Sequence, residues 1–195
     1  YFMGDLIKSI YAGFMIGLGG TVYLSLENKI IGAFLFSFGL LTIVNQGFYL
    51  YTGKVGYEND IKKIAIMIFG NAIGTLIMAL IIRLSKPELI TIANNIWQSK
   101  LQSNALQIIL PSMLCGIMMY LAVDNYKKNR NLLFVIMPVV IFILSGFEHS
   151  IANMFYIFLS GNFNEISICF LIMCLTGNGL GAKAFHSYKE IFCKE

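Results

Sequence analysis

The sequence predicts an all-α polytopic membrane protein, and its composition and the lengths of its apolar segments indicate this class. Hydrophobic residues make up 57% of the 195 residues and charged residues only 12%, whereas a soluble domain carries about 25% charged residues. The mean hydropathy is +0.74. At about 20 residues per span, the length allows five to seven spans and no separate soluble domain. Residues 1–195 are therefore predicted to form one transmembrane domain.

Three spans are expected in the first half of the chain. The first, residues 10–26, carries glycines at a spacing that lets a neighbouring helix approach closely, and it matches a retained span rather than a signal peptide. The second, residues 30–57, is interrupted after Val44 by Asn-Gln-Gly, which predicts a broken helix with an irregular stretch near residues 50–56. The third, residues 61–82, contains Gly-Asn-x-x-Gly.

The second half of the chain has the same arrangement of spans. Residues 88–104 are amphipathic and predict a helix at the membrane interface, and the fourth span follows at residues 105–123. The fifth is predicted to be broken, because the apolar runs at residues 132–144 and 155–159 are each too short to cross a bilayer. The sixth, residues 166–185, contains a second Gly-Asn-x-x-Gly.

These regularities predict two inverted repeats of three spans each, at about residues 1–85 and 100–192. An odd number of spans per repeat puts the two copies in opposite orientation, and paired broken helices are typical of a transport path at the repeat interface. The loops after the second and fourth spans are rich in Lys and Arg. The positive-inside rule therefore favours a cell-membrane protein with both termini in the cytoplasm.

Several function classes find no support in the residues. The net charge of +4 is spread along the chain and is interpreted as an orientation signal rather than a nucleic-acid surface. The four cysteines lack metal-ligand spacing, and Cys115, Cys169 and Cys174 lie in apolar runs, where small buried residues are expected. There is no Walker motif and no Gly-x-Ser-x-Gly elbow. We therefore expect no cofactor, no metal and no enzyme.

His149 lies in the polar stretch between the halves of the fifth segment and is the strongest candidate for function. Ionisable groups at membrane depth cost about 2.5 kcal/mol or more and usually mark a path. With an ordinary pKa of about 6.5, histidine can donate a hydrogen bond or a proton to a small anion, and a neutralised weak acid crosses hydrocarbon more easily than its anion. The alternative is a structural histidine that cross-links the broken helix.

Four more polar residues are candidates, each with a structural alternative. Thr52, in the other broken helix, could face His149 or satisfy freed backbone groups. Asn153 is a second choice for the path, whereas Glu148 is expected mainly to accept backbone N–H groups at the break. Lys100 could concentrate anions at an external entrance, or it could be an interfacial lysine whose ammonium reaches water.

The stretch Ser-Gly-Phe-Glu-His-Ser-Ile-Ala-Asn-Met, residues 145–154, closely resembles the formate/nitrite transporter family. Further similarities are Phe-Ser-Phe-Gly-Leu at residues 36–40, Leu-Tyr-Thr-Gly at residues 50–53, and both Gly-Asn motifs. The resemblance covers nearly the whole chain. It implies a homopentamer whose protomers each hold a six-span pore with an aquaporin-like inverted repeat, passing small monovalent anions such as formate, nitrite or hydrosulfide, and lactate in some members.

The resemblance also implies roles for individual residues. His149 corresponds to the central pore histidine with Thr52 as its partner, and Lys100 to the vestibule lysine. Two hydrophobic constrictions are expected from apolar pairs: Phe36 with Phe142, and Leu40 with Leu50. The chain departs from the family at Gly116, where an asparagine is usual, at Leu175-Thr176 in place of Pro-Val, and at Tyr51 in place of phenylalanine. Only about nine residues precede the first span, where the family has an amphipathic extension.

The sequence therefore predicts a channel or transporter, passive or proton-coupled, for small monovalent anions of weak acids, with formate first and then hydrosulfide or nitrite. Its expected partners are these anions, protons, the lipid bilayer and further copies of the chain. Three alternatives stay open. They are a pore for a neutral solute such as water or ammonia, a membrane-embedded enzyme with His149 and Glu148 as acid and base, and a non-conducting structural subunit.

Overall fold

The computed structural model describes residues 2–192, and every regular element in that range is an α-helix. In chain order the helices are α1 Phe2–Ser25, α2 Lys29–Gln46, α3 Tyr51–Lys54, α4 Ile61–Ser85, α5 Glu88–Lys100, α6 Ala105–Asn129, α7 Leu133–Leu144, α8 Ser150–Ser160 and α9 Glu165–Phe192. Helices α1, α2, α4, α6 and α9 are long and apolar enough to cross a membrane, and α7 and α8 are shorter apolar helices. The prediction of an all-α membrane fold is confirmed.

Both predicted broken helices are present, and each break begins at a glycine. Gly47 follows α2 and Gly146 follows α7, and each has φ of 68°. This left-handed conformation costs glycine little because it has no Cβ. After the first break the chain forms the single turn α3, so the stretch expected to be irregular at residues 50–56 is partly helical. After the second break α8 begins at Ser150, earlier than the apolar run at residues 155–159 indicated.

Two buried asparagines, one in each half of the chain, fix the breaks in matching ways. The side-chain oxygen of Asn71 accepts the backbone N–H of Tyr51 at 2.9 Å, and that of Asn178 accepts the N–H of Ser150 at 2.9 Å. Each amide nitrogen donates to two carbonyls at 2.8 Å: Asn71 to Ser9 and Tyr49, and Asn178 to Ser112 and Glu148. The amides thus satisfy backbone groups that the broken helices leave free.

The helix crossings repeat in the two halves as well. A Cβ on Gly13 would lie 2.1 Å from the carbonyl oxygen of Asn71, and one on Gly116 would lie 2.1 Å from that of Asn178. Helix α1 therefore touches α4, and α6 touches α9, backbone to backbone. These matching contacts are what an inverted repeat of three spans requires.

Three sequence predictions differ from the structure in detail. Helix α1 begins at Phe2, about two helical turns before the expected start at residue 10, and α6 continues to Asn129, beyond the expected end at residue 123. Helix α5 packs against α8 and buries Trp97 completely, and the indole meets the ring of Phe170 edge-on, while the location of α5 at the membrane interface stays a prediction. Cys115 and Cys174 are buried as expected, whereas Cys169 is exposed; Cys193 lies outside the described residues.

Candidate functional site

The histidine and threonine from the two broken helices meet in the protein interior. His149 caps the start of α8, and its Nε2 lies 2.9 Å from Oγ1 of Thr52 on α3. Both side chains are buried, at 2% and 0% exposure. The other ring nitrogen, Nδ1, accepts the backbone N–H of Ala152 at 3.1 Å. An accepting Nδ1 carries no proton, so in the neutral ring Nε2 carries it and donates to Thr52.

Aromatic rings cover the imidazole on one side. The ring of Phe142 stacks on His149 with centroids 5.3 Å apart and planes at 24°, and Phe36 meets Phe142 edge-on at 6.1 Å. Both phenylalanines are nearly fully buried. The predicted pairing of Phe36 with Phe142 is therefore a direct contact, and it lies immediately beside the histidine.

A cavity of about 180 Å³ opens next to these rings and is called the outer cavity, after the predicted orientation. Its lining includes His149, Phe36, Phe142, Lys100 and Asn153, and it also includes Tyr23 and Tyr156. Lys100, at the end of α5, reaches it together with Asn153 of α8. Four of the side chains predicted from sequence to form the path therefore share one cavity with the central histidine.

Glu148 forms an ion pair with the lysine of the outer cavity. The ammonium nitrogen of Lys100 lies 2.7 and 2.6 Å from the two carboxylate oxygens, and Asn153 donates to one of them at 2.8 Å. The expectation that this carboxylate mainly accepts backbone N–H groups was wrong, because its hydrogen-bond donors are the side chains of Lys100 and Asn153. Asn178 instead binds the backbone carbonyl of Glu148.

A second cavity, of about 160 Å³, lies at the other end of α2 and is called the inner cavity. Its lining includes Leu50 and Gly53, which flank Tyr51 and Thr52 on α3, and Ile43 of α2. Ile43 is seven residues beyond Phe36, which corresponds to about 10 Å along a helix. The two cavities therefore lie at different depths, with the His149–Thr52 pair between them.

Four predicted path residues line neither cavity: Thr52 and Glu148, whose contacts are described above, and also Leu40 and Tyr51. Leu40 is completely buried in the core. Tyr51 donates its hydroxyl to the carbonyl of Leu175 at 2.9 Å, so its side chain joins α3 to α9 instead of facing an opening. Leu40 sits on α2 between Phe36 and Ile43, and is therefore placed between the levels of the two cavities.

Sequence reasoning did not predict many of the residues that line the cavities. Among them are Tyr23 and Tyr156 in the outer cavity, and the three cations Lys54, Lys127 and Arg130 in the inner cavity. In the sequence the basic residues were interpreted only as orientation signals. Because Lys54 is far along the chain from the other two, the sequence does not indicate that all three line one cavity. Nothing in the local sequence distinguishes the two tyrosines from packing residues.

A family model described as "Formate/nitrite transporter" matches residues 2–188. This chain belongs to the formate/nitrite transporter family. It is a multi-pass membrane protein, and the family and its solved relatives are channels and transporters rather than enzymes.

Curated relatives from two bacteria are described as formate channels. Formate channel FocA of Escherichia coli strain K12 is 32% identical over 152 residues, covering 66% of this chain and 53% of the relative. Formate channel FocA of Haemophilus influenzae is 27% identical over 186 residues, covering 78% of this chain and 65% of the relative. The chain spans about half the length of the first of these relatives.

Solved structures agree with the fold. The structure described as "Pentameric formate channel with formate bound" superposes with a TM-score of 0.85 at 25% identity, covering 99% of this chain and 98% of that chain. A Plasmodium falciparum aquaglyceroporin superposes with a TM-score of 0.62 at 15% identity, covering 98% of this chain and 95% of that one. The second similarity shows the fold alone, and it supports the aquaporin-like architecture expected from the sequence.

Two positions expected from the sequence to depart from the family, Tyr51 and Leu175, meet in space. The phenol of Tyr51 donates to the backbone carbonyl of Leu175. At the third departure, Gly116, the carbonyl of Asn178 occupies the space in which a Cβ would lie. The close α6–α9 crossing therefore leaves no room for the expected asparagine at this position.

Proposed function

We propose that this chain forms a transmembrane pathway for small monovalent anions of weak acids, with formate first and then hydrosulfide or nitrite. The observation that carries the proposal is the buried His149–Thr52 pair between the two cavities. A buried polar pair of this kind offers hydrogen bonds to an anion that has left its water behind. The formate channels among the relatives make formate the first anion to test.

At the outer end, Lys100 and Glu148 together attract or repel an anion only weakly, because their charges compensate. An ammonium has three N–H donors, and the carboxylate takes two of them. The third N–H remains for a passing anion. Lys100 thus acts as a hydrogen-bond donor at the entrance more than as an unpaired charge.

The apolar ring pair Phe36 and Phe142 comes next and strips the water from the anion. Desolvating a carboxylate without a compensating partner is very costly, so the hydrogen-bond donors directly beyond the rings lower this barrier. Because Thr52 Oγ1 accepts the Nε2 proton, its own hydroxyl proton is free to point at the anion. Threonine thereby becomes the direct donor, and His149 holds its hydroxyl in that orientation.

Proton transfer from His149 needs the imidazolium. A neutral ring has only the Nε2 proton, and its loss would leave an imidazolate, which is inaccessible at ordinary pH. An imidazolium carries a second proton on Nδ1. In the structure the lone pair of Nδ1 already accepts the backbone N–H of Ala152, so this nitrogen cannot take up a proton while that hydrogen bond is formed. The resting geometry therefore favours hydrogen-bonded passage of the anion, and a proton-coupled step requires that contact to open first.

The proposed assembly is a homopentamer in the cell membrane with both termini in the cytoplasm. A solved relative that is described as a pentameric channel supports the pentamer, and the basic loops support the orientation. Large apolar side chains lie exposed on the outer faces of α2 and α4, such as Phe34, Phe38, Phe69 and Leu80. In the assembly these faces would contact lipid or neighbouring protomers.

The test is stopped-flow uptake of formate, nitrite, hydrosulfide and lactate into proteoliposomes between about pH 5 and 8, where histidine titrates. Wild type is compared with His149→Ala, after both are shown to elute at the same size from a sizing column. We expect formate uptake that falls at least tenfold in the variant. Uptake of a neutral solute that ignores these anions would favour a neutral-solute pore, and no uptake of any anion would refute the proposal.

A further inference from the structure

We propose that the inner cavity is a binding site for a phosphate group, which occupies the inner mouth without passing through. The site is formed by Lys54 of α3 together with Lys127 and Arg130 at the end of α6. Nothing in the pathway proposed above uses these three cations. The binding step stands independently of transport, whereas its consequence, a blocked inner mouth, rests on the proposed function.

The three cations have no carboxylate partner in the inner cavity. No Asp or Glu lines it, and within residues 2–192 none of the three lies within 4.0 Å of a carboxylate oxygen. Asp5 and Glu58 share a different, neighbouring cavity with Lys54. Asp124 is bound by Lys189. The inner cavity is therefore lined by three cations that form no direct ion pair, in contrast to the paired lysine of the outer cavity.

Each cation is held in place by a tyrosine ring. The ammonium of Lys54 lies 3.9 Å from the ring centre of Tyr49, and that of Lys127 lies 3.9 Å from the ring centre of Tyr57. Ring contacts of this kind orient a cation without neutralising it.

Arg130 completes the site from the end of α6, where it forms a left-handed helix cap whose backbone N–H donates to the Tyr126 carbonyl. Its guanidinium lies 5.3 Å from the ring centre of Tyr126, one turn back, and both residues line the cavity. A guanidinium is well suited to bind phosphate oxygens.

The charge of the cavity selects the ligand class. A monovalent anion would leave two of the three cations unpaired, whereas a phosphate dianion with several acceptor oxygens satisfies more of them. The same dianion is a poor substrate for the pathway, because the Born cost of desolvation grows with the square of the charge and is about four times that of a monoanion. It would bind at the inner mouth and stop at the buried Leu50 and Leu40.

Equilibrium dialysis of the purified protein in neutral detergent against radiolabelled inorganic phosphate tests binding without transport. We expect saturable binding that weakens about tenfold in Lys127→Gln and in Arg130→Gln, as for loss of one hydrogen bond to a charged group. Binding should survive in Arg130→Lys and in Lys62→Gln, which removes an exposed lysine outside the cavity. Phosphate binding that is absent, or unchanged in both Gln variants, would overturn the proposal.

The phosphate group could belong to a free ion or to a lipid headgroup, and a second arm separates the two. The protein is exposed to phosphatidic acid, whose headgroup is a phosphate monoester that can carry two charges, and the lipid that stays bound is measured by mass spectrometry with and without free phosphate. If lipid stays bound to the wild type, is displaced by free phosphate and does not stay bound to Arg130→Gln, the site binds a lipid headgroup. Phosphate binding with no retained lipid assigns it to the free ion. If phosphate binds but formate uptake is absent in proteoliposomes, the transport proposal fails while the site stands.

Discussion

Glu148 binds Lys100 through both carboxylate oxygens, at 2.7 and 2.6 Å from the ammonium nitrogen, beside the outer cavity that Lys100 lines. The contact joins the end of α5 to the break before α8. The vestibule lysine expected from the family resemblance is therefore not a free charge here. Its effect on an approaching anion depends on the carboxylate that holds it.

The first prediction concerns the charge balance of this pair. Lys100→Gln leaves the Glu148 carboxylate unpaired beside the path, so anion uptake at low substrate concentration should fall about tenfold, because like charges repel strongly where water is scarce. Glu148→Gln should instead strengthen anion binding at the outer mouth and lower the half-saturating concentration. The measurement is formate uptake against concentration in proteoliposomes.

The double variant Lys100→Gln/Glu148→Gln serves as the control for this pair. It restores neutrality, so uptake should return toward the wild-type value and exceed that of Lys100→Gln alone. Removing one partner of a buried pair typically costs about 3–5 kcal/mol of stability, and thermal unfolding in detergent monitors that effect separately. Equal uptake in both single variants would contradict the charge argument.

The second prediction separates the hydroxyl of Thr52 from its shape. Thr52→Val keeps the volume but removes the group that accepts the His149 proton and donates to the anion. Uptake should fall about tenfold or more, because one hydrogen bond to a charged group contributes about 1.5–3 kcal/mol. Thr52→Ser keeps the hydroxyl and should stay near the wild type. A valine variant as active as the serine variant would exclude Thr52 as a donor.

The third prediction follows from the hydrogen bond between Tyr51 and Leu175. Tyr51→Phe introduces the residue expected from the family resemblance and removes the tyrosine hydroxyl that donates to the Leu175 carbonyl of α9. We expect a loss of about 0.5–1.5 kcal/mol in the free energy of unfolding, as for one intramolecular hydrogen bond. Tyr11→Phe is the matched control, since Tyr11 is exposed and its ring stacks on Phe48. The two variants should differ in melting temperature, and identical values would argue against this contact.

The fourth prediction tests the helix crossings. Gly116→Ala places a Cβ only 2.1 Å from the carbonyl oxygen of Asn178, which is too close for two atoms that are not bonded. Helices α6 and α9 must therefore move apart. We expect a loss of stability of about 1–3 kcal/mol or more, as for other overpacked cores. Gly13→Ala should behave alike because it meets Asn71 at the same distance in the other half.

Gly4→Ala is the control for that experiment, because a Cβ there would meet nothing within 4 Å. It should match or slightly exceed wild-type stability, since alanine favours a helix more than glycine does. The readout is the fraction of protein that remains monodisperse after heating in detergent. If Gly116→Asn proved as stable as wild type, the steric explanation for the missing asparagine would be wrong.

Hydropathy and spacing predicted most of the fold. A bilayer requires runs of about 20 apolar residues and satisfied backbone groups, so spans, breaks and repeated Gly-Asn motifs are visible as local patterns. The same patterns misplaced the breaks by a few residues. Ser150 and Asn153 belong to α8 although they are polar, because their partners lie on α9 and at Glu148, and no local pattern reveals such partners.

The fold class and the residue types at the centre of the site could be predicted from the amino-acid sequence, since both depend on hydrophobicity and on short motifs. Which side chains contact one another is known only from the folded structure. Glu148 binds Lys100, Tyr51 turns away to Leu175, and Lys54 and Arg130 share one cavity. The two bonded pairs are separated by 48 and 124 residues along the chain. Charge compensation depends on the distance between two charged groups in space, and the hydropathy pattern of the sequence does not indicate that distance.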